Sequence, residues 1–102
     1  MNIALTPKSR MVVGSDNVFC DLGFPEPEAQ NLLLRVDLMI AIQRYLNKAG
    51  LSQTEAARKL GITQPRLSDL FRHRIEKFSL DALVNLATRA GLDVRLTVKK
   101  AA

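Results

Sequence analysis

Cysteine and histidine are scarce in this sequence, which has one of each among 102 residues, Cys20 and His73. A single cysteine cannot form an internal disulfide, which suits a reducing, cytosolic setting. No cluster of cysteine or histidine has the spacing of metal ligands, so we expect neither a metal nor any other cofactor. The sequence also has no nucleophile and base pair, no paired carboxylates and no glycine-rich phosphate loop. We therefore expect no catalytic residue and no enzyme.

Long apolar runs are absent as well. No stretch approaches the roughly 18 apolar residues that a membrane-spanning helix needs. No apolar run of signal-peptide length follows Lys8 and Arg10 near the start of the chain. We therefore expect a cytoplasmic protein without a membrane partner.

Positive charge is concentrated in one part of the chain. The formal net charge is +5 and the isoelectric point is near 9.9, a balance that favours a polyanionic partner. Residues 1–50 have five basic and five acidic side chains, whereas residues 51–78 have six basic side chains against three acidic ones. The positive field is therefore local.

The chain is long enough for one compact core and too short for two domains of ordinary size. Residues 1–25 sustain no periodicity, and we interpret them as an N-terminal arm with at most one short strand near Met11 to Val13. Residues 26–91 are predicted to form the helical domain. Residues 92–102 are predicted to form a strand and a tail.

A long helix is predicted from about Glu26 to Gly50. Pro27 suits its first turn and Gly50 suits its C-terminal cap. Apolar residues recur at intervals of three and four in two stripes, which are Leu32, Val36, Met39, Ile42, Leu46 and Ala49, and then Leu34, Leu38, Ala41 and Tyr45. Either both stripes belong to the core, or the arm or another chain covers one of them.

Two short helices joined by a tight turn are predicted next. Ser52 and Glu55 have the spacing of a capping box, in which each side chain accepts a hydrogen bond from the other residue's backbone N–H. Gly61 stops this first helix, Thr63 caps the second, and Pro65 lies in the second helix's first turn, where it breaks no hydrogen bond.

Small and apolar residues stand where two crossing helices would pack, namely Ala56, Ala57, Leu60, Ile62, Leu67 and Leu70. No single position is specific, but the joint pattern predicts a helix-turn-helix motif over about residues 52–73. A merely structural helical hairpin is the alternative.

A last helix is predicted between a cap at Ser79 and Gly91, and a strand follows it. Apolar residues then alternate with polar ones at Leu92, Val94, Leu96 and Val98. A lone strand leaves its backbone groups unpaired, so it must pair with the arm, with the same strand of a second copy, or with a partner's sheet edge. Pairing between two copies would make a symmetric dimer.

Residues 53–72, QTEAARKLGITQPRLSDLFR, resemble the Xre/Cro-like helix-turn-helix family, which includes phage-type repressors and antitoxins. The segments NVFCDLGFP, FSLDAL and GLDVRLTV extend the resemblance to the HigA-type antitoxin branch over most of residues 17–98. This resemblance implies an all-α, lambda-repressor-like bundle of about four to five helices. It also implies a homodimer that represses its own operon and neutralises a RelE-like ribonuclease toxin. One departure is His73, which stands where the motif often has glycine after the recognition helix.

The helix that starts at Gln64 is expected to lie in the major groove with its N-terminal residues nearest the base edges. The amide of Gln64 can donate to and accept from adenine at once, and Arg66 suits either guanine or a phosphate. Ser68 and Asp69 lie one turn further along, where serine reads either base and a carboxylate accepts from cytosine. We expect Gln64 and Arg66 to be exposed, and the alternative for all four residues is a solvated helix face.

Phosphate contacts are expected on either side of these base readers. Gln53 resembles the family's phosphate-clamping glutamine, at a helix N-terminus whose free N–H groups attract anions. Thr63 is either a phosphate contact or a plain N-cap. Arg72, His73 and Arg74 are expected to neutralise backbone phosphates, which adds affinity without sequence information.

The sequence therefore favours a transcriptional regulator that binds a palindromic operator in double-stranded DNA as a homodimer, and more specifically an antitoxin that represses its own operon. Two alternatives stay open. One is a protein-binding module that neutralises a RelE-like toxin without useful DNA affinity. The other is a phage-type repressor with no toxin partner.

Overall fold

The computed structural model describes residues 18–100, and these residues fold as an all-α bundle. Its elements are α1 (Val18–Asp21), α2 (Glu26–Ala49), α3 (Gln53–Leu60), α4 (Gln64–Phe71), the 3₁₀ helix η1 (Ile75–Lys77) and α5 (Leu80–Ala90). The predicted all-α class with four to five helices is confirmed over this part of the chain. Most of the predicted arm, including the weak strand near Met11 to Val13, lies outside the described residues.

The described end of the predicted arm contains one helical turn, α1. The Leu22 N–H donates to the Val18 carbonyl at 3.1 Å, and the rings of Phe19 and Phe24 meet edge to face with centroids 6.1 Å apart. The turn packs against α2. The sequence pattern predicts no element over residues 18–25, because a local hydrogen bond and an aromatic pair hold the turn without any repeating pattern.

Helix α2 is the long predicted helix, with Pro27 in its first turn and Gly50 in the left-handed conformation at its end, φ 70°. Its buried residues are Ala29, Leu38, Met39, Ile42 and Leu46. The first stripe reaches the core through Met39, Ile42 and Leu46 in the second half of the helix, which packs on α5. The second stripe reaches it through Leu38, whereas its Tyr45 is exposed. In the first half, Leu32, Leu34 and Val36 are only half-buried.

The core lies between α2, α5 and the two short helices α3 and α4. Its largest fully buried side chains are Phe78, Met39, Ile42, Leu46, Leu60, Leu67, Leu70 and Leu83. Ala56 and Ala57 are also buried, and Ile62 packs against the cluster. Every residue predicted to pack where α3 and α4 cross therefore belongs to the core or touches it.

The predicted C-terminal strand is absent from the described residues, which contain no strand at all. Leu92 and Val94 pack against the core, whereas Leu96 and Val98 are 76% and 81% exposed. A strand needs a second strand to pair its backbone groups, and residues 18–100 of one chain supply none. The expected alternation is present, but among residues 18–100 it does not form a strand.

No helix within residues 18–100 is long and apolar enough to cross a membrane.

Candidate nucleic-acid interface

The N-terminus of α3 is held by the predicted capping box. The Glu55 N–H donates to Ser52 Oγ at 3.2 Å, and the Ser52 N–H donates to Glu55 Oε1 at 3.0 Å. The second bond stabilises the carboxylate and lowers the pKa of Glu55 below its usual value. The box fixes the first turn of α3, where Gln53 and Thr54 are exposed.

Gly61 makes the turn between α3 and α4. Its φ of 71° is left-handed, and a Cβ there would lie 2.8 Å from Arg89 Nη1, which donates to the Leu60 carbonyl at 3.1 Å. A side chain at this position would therefore strain the backbone and displace the arginine. After the turn, Thr63 Oγ1 accepts from the Arg66 N–H at 3.3 Å, so Thr63 is the N-cap of α4. Its role as a phosphate contact stays a prediction.

Helix α4 buries one face and presents the other to solvent. Leu67 and Leu70 are fully buried and anchor the helix on the core. The opposite face is exposed and consists of Gln64, Pro65, Ser68 and Arg72. Ser68 follows Pro65 by three positions and Arg72 follows Ser68 by four, which is the spacing of one helix face. A helix that is anchored by its buried face and polar on its exposed face can enter a groove of DNA.

Gln64 is exposed as expected, and one bond orients its side chain. Its Nε2 donates to Thr54 Oγ1 at 3.1 Å, which connects the first turn of α4 to the first turn of α3. The other N–H and the carbonyl oxygen of this amide have no partner among the described residues. The exposed first turns of α3 and α4 are thus connected by a hydrogen bond between Thr54 and Gln64.

Arg66 lies at the edge of the exposed face and is half-buried. Its Nη1 donates to the Lys77 carbonyl at 2.7 Å, and its guanidinium lies over the Phe78 ring, 4.1 Å from the centroid. The expectation of a fully exposed Arg66 was therefore wrong, because a buried aromatic ring and a free carbonyl lie within its reach. Its base-reading role stays a prediction.

The C-terminal end of α4 is closed by paired backbone bonds. The Arg74 N–H donates to the Asp69 carbonyl and the His73 N–H donates to the Leu70 carbonyl, the pattern of a Schellman motif. An ion pair reinforces it, since Arg74 Nε lies 3.7 Å from Asp69 Oδ1. Two residues predicted to meet DNA, Asp69 and Arg74, are therefore paired with each other.

His73 takes the left-handed conformation that glycine often supplies after a recognition helix. Its φ of 56° is the only positive value outside glycine among the described residues. Its Nε2 is hydrogen-bonded to Gln43 Oε1 at 2.7 Å, which connects the end of α4 to α2. The imidazole thus has a partner within the chain, and its predicted phosphate contact stays untested.

The remaining predicted contacts are free to meet a ligand. The side chains of Gln53, Ser68 and Arg72 are exposed and form no hydrogen bond or ion pair within residues 18–100. The residues predicted to read bases or contact phosphates lie on α3, on α4 and in the turns beside them, and their roles stay predictions. Within the described residues, no group of three or more histidine, cysteine, aspartate or glutamate side chains could hold a metal ion.

Three residues of this region were missed by the sequence analysis. Pro65 was assigned only to the start of a helix, although its spacing from Ser68 places both on one face. Thr54 and Gln43 were assigned no role, because their bonds to Gln64 and His73 span 10 and 30 positions of the chain. No local pattern indicates contacts of that kind.

We expect the His73→Gly variant to be about 1 kcal/mol more stable than His73→Ala. Both variants lose the bond to Gln43, but only alanine keeps a Cβ in the left-handed region. Urea denaturation of the two variants measures the difference in the free energy of unfolding. Equal values would contradict the left-handed conformation of residue 73.

The chain is similar to helix-turn-helix proteins over most of its length. A family described as "Helix-turn-helix domain" matches residues 18–99. A solved structure called "Putative XRE Family Transcriptional Regulator" is 33% identical, with a TM-score of 0.68, over 74% of this chain and 84% of that one. The comparison with curated proteins gives no match.

Proposed function

This chain belongs to a family of helix-turn-helix domains, and on that premise we propose that it is a sequence-specific repressor whose helix α4 reads the major groove of its operator. A DNA-binding transcriptional regulator is what the family and the similarity to the XRE-type structure indicate. The main support for this proposal is the exposed face formed by Gln64, Pro65, Ser68 and Arg72. On the opposite face, the buried Leu67 and Leu70 anchor the helix to the core.

The proposed DNA contacts are of two kinds, base readers and phosphate contacts. Gln64 and Ser68 read base edges from the first half of α4, and Gln53 clamps a phosphate at the exposed N-terminus of α3. Arg72 neutralises a phosphate at the other end, where its charge has no partner within residues 18–100. The net positive charge of residues 51–78 supplies the sequence-independent attraction.

We further propose that the regulator acts as a cytoplasmic antitoxin that represses its own operon and neutralises a RelE-like toxin. The support is the resemblance of residues 17–98 to that branch. The test combines a gel-shift assay on the DNA upstream of the gene with co-purification of the adjacent gene's product. We expect both a shift and a complex. No shift at micromolar protein and low salt would refute the repressor, whereas a shift without a complex would refute the antitoxin alone.

We also propose that two copies pair through residues 92–98. Leu96 and Val98 are exposed in one chain and share an alternating pattern with Leu92 and Val94. Antiparallel pairing with the same segment of a second copy would satisfy the backbone and bury these side chains. The two recognition helices would then face half-sites about 34 Å apart on a palindrome.

Leu96→Asp is expected to turn this dimer into a monomer at micromolar concentration, because it would place a charge in an apolar interface without a partner. Thr97→Asp adds the same charge on the opposite face of the strand and is expected to leave the dimer intact. Sedimentation velocity measures both. A monomeric unsubstituted protein, or equal effects of the two variants, would contradict the proposed pairing.

A further inference from the structure

The first half of α4 presents a small set of groups to a DNA groove. With about 100° of rotation per residue, Pro65 points directly away from the buried Leu67 and Leu70, and Gln64 and Ser68 lie on one side of it. All three are exposed. Arg72 is about 12 Å further along the helix axis than Gln64, so it lies beyond the base pairs that face this half.

The free groups of Gln64 match one base. Because Thr54 Oγ1 occupies one N–H of the amide, one N–H and the carbonyl oxygen are left to meet DNA. Adenine presents an acceptor, N7, beside a donor, N6–H, on its major-groove edge. An amide fixed in this way can satisfy both at once.

Pro65 presents an apolar ring on the exposed face of α4. Among the four bases, only thymine offers an apolar group in the major groove, its 5-methyl. Burying that methyl against the pyrrolidine ring removes apolar surface from water. The Ser68 hydroxyl has no preference between bases, so it does not oppose a thymine at this position.

The side chains that would read a G·C pair are occupied within the chain. Arginine is the type of side chain that pairs with guanine, but Arg66 donates a hydrogen bond to the Lys77 carbonyl and stacks on the Phe78 ring. Asp69, the type that accepts from cytosine, is paired with Arg74. Arg66 or Asp69 could read a G·C pair only by leaving these contacts.

We propose that the base pairs facing the first half of α4 are A·T pairs, because a thymine methyl packs against Pro65 beside the adenine already expected at Gln64. We also propose that Arg66 supports the fold of the motif rather than reading a base. This inference rests on the proposed function, since it names the DNA sequence that the recognition helix selects.

The test is selection of bound duplexes from a random DNA library by the unsubstituted protein and by Arg66→Ala. We expect both to enrich A·T pairs at the same positions, with lower affinity overall for the variant. Enrichment of a G·C pair that disappears in Arg66→Ala would overturn the inference while leaving the repressor proposal intact. A library with no enriched sequence would overturn the proposed function and the inference with it.

A second experiment tests the contact between Pro65 and the thymine methyl. Replacing the selected thymine by uracil removes only the 5-methyl, and we expect about a fourfold loss of affinity. In Pro65→Ser, a residue tolerated at the start of a helix, the loss on uracil substitution should disappear. The same uracil loss in both proteins would show that Pro65 does not contact the methyl.

Discussion

Replacing Phe78 with alanine is expected to lower the free energy of unfolding by about 3 to 5 kcal/mol. Phe78 is 1% exposed and is one of the largest side chains in the core. Its ring also supports the Arg66 guanidinium from below, 4.1 Å from the centroid. The substitution therefore opens a cavity and releases the side chain that fastens the start of α4. Urea denaturation followed by circular dichroism measures the loss.

Phe71→Ala is the matched control for this prediction. Phe71 ends α4 and is only half-buried, so the same truncation there should cost clearly less. Because a small domain has about 5 to 15 kcal/mol in total, Phe78→Ala leaves little stability, and Phe78→Leu provides a milder variant that keeps the protein folded. Equal losses for the two alanine variants would mean that the core is not centred on Phe78.

Gln64→Ala is expected to weaken binding to the preferred duplex by about 5- to 150-fold, the loss of one bidentate contact of about 1 to 3 kcal/mol. Binding to a scrambled duplex should be almost unchanged, because non-specific affinity comes from phosphates. Competition titrations with the two duplexes measure the ratio of affinities. Equal losses on both duplexes would refute the assignment of Gln64 as a base reader.

Arg72→Ala is the control variant, which should lower affinity for DNA without changing sequence preference. It removes a positive charge from the same helix face without touching the adenine contact. We expect its affinity to fall on both duplexes, and the slope of log affinity against log salt to decrease in magnitude by about one. Together the two variants separate specificity from electrostatic attraction.

The helix boundaries could be predicted from the sequence because they are set by neighbours a few residues apart. Ser52 with Glu55, Thr63 and Ser79 each cap a helix as expected, and Gly61 forms the predicted turn. The packing of α3 on α4 was also predictable, because small and apolar side chains at fixed spacing leave one way for two helices to cross.

The contacts of the site side chains could be predicted less well, since they depend on residues distant in the chain. Arg66 meets Lys77 and Phe78 only because the loop after α4 folds back, and His73 meets Gln43 only because α2 passes behind. A side chain judged by its type alone looks available for DNA even when the fold has already given it a partner.

The C-terminal strand is not formed within residues 18–100 for a related reason. Alternation from Leu92 to Val98 is a local property, but strand formation depends on a second strand, which the described part of one chain does not contain. The pattern can therefore be present without the element. Helix α1 shows the reverse case, an element held by contacts that produce no periodic pattern.

The most direct test of the DNA-binding face is the backbone amide NMR spectrum of the protein, recorded with and without its selected duplex. If the exposed face of α4 enters the groove, the largest shift changes will fall on residues 53–54, 63–64 and 66–72, and α1 and the first half of α2 will change little. Large changes in α1 and α2 with an unaltered α4 would contradict the account.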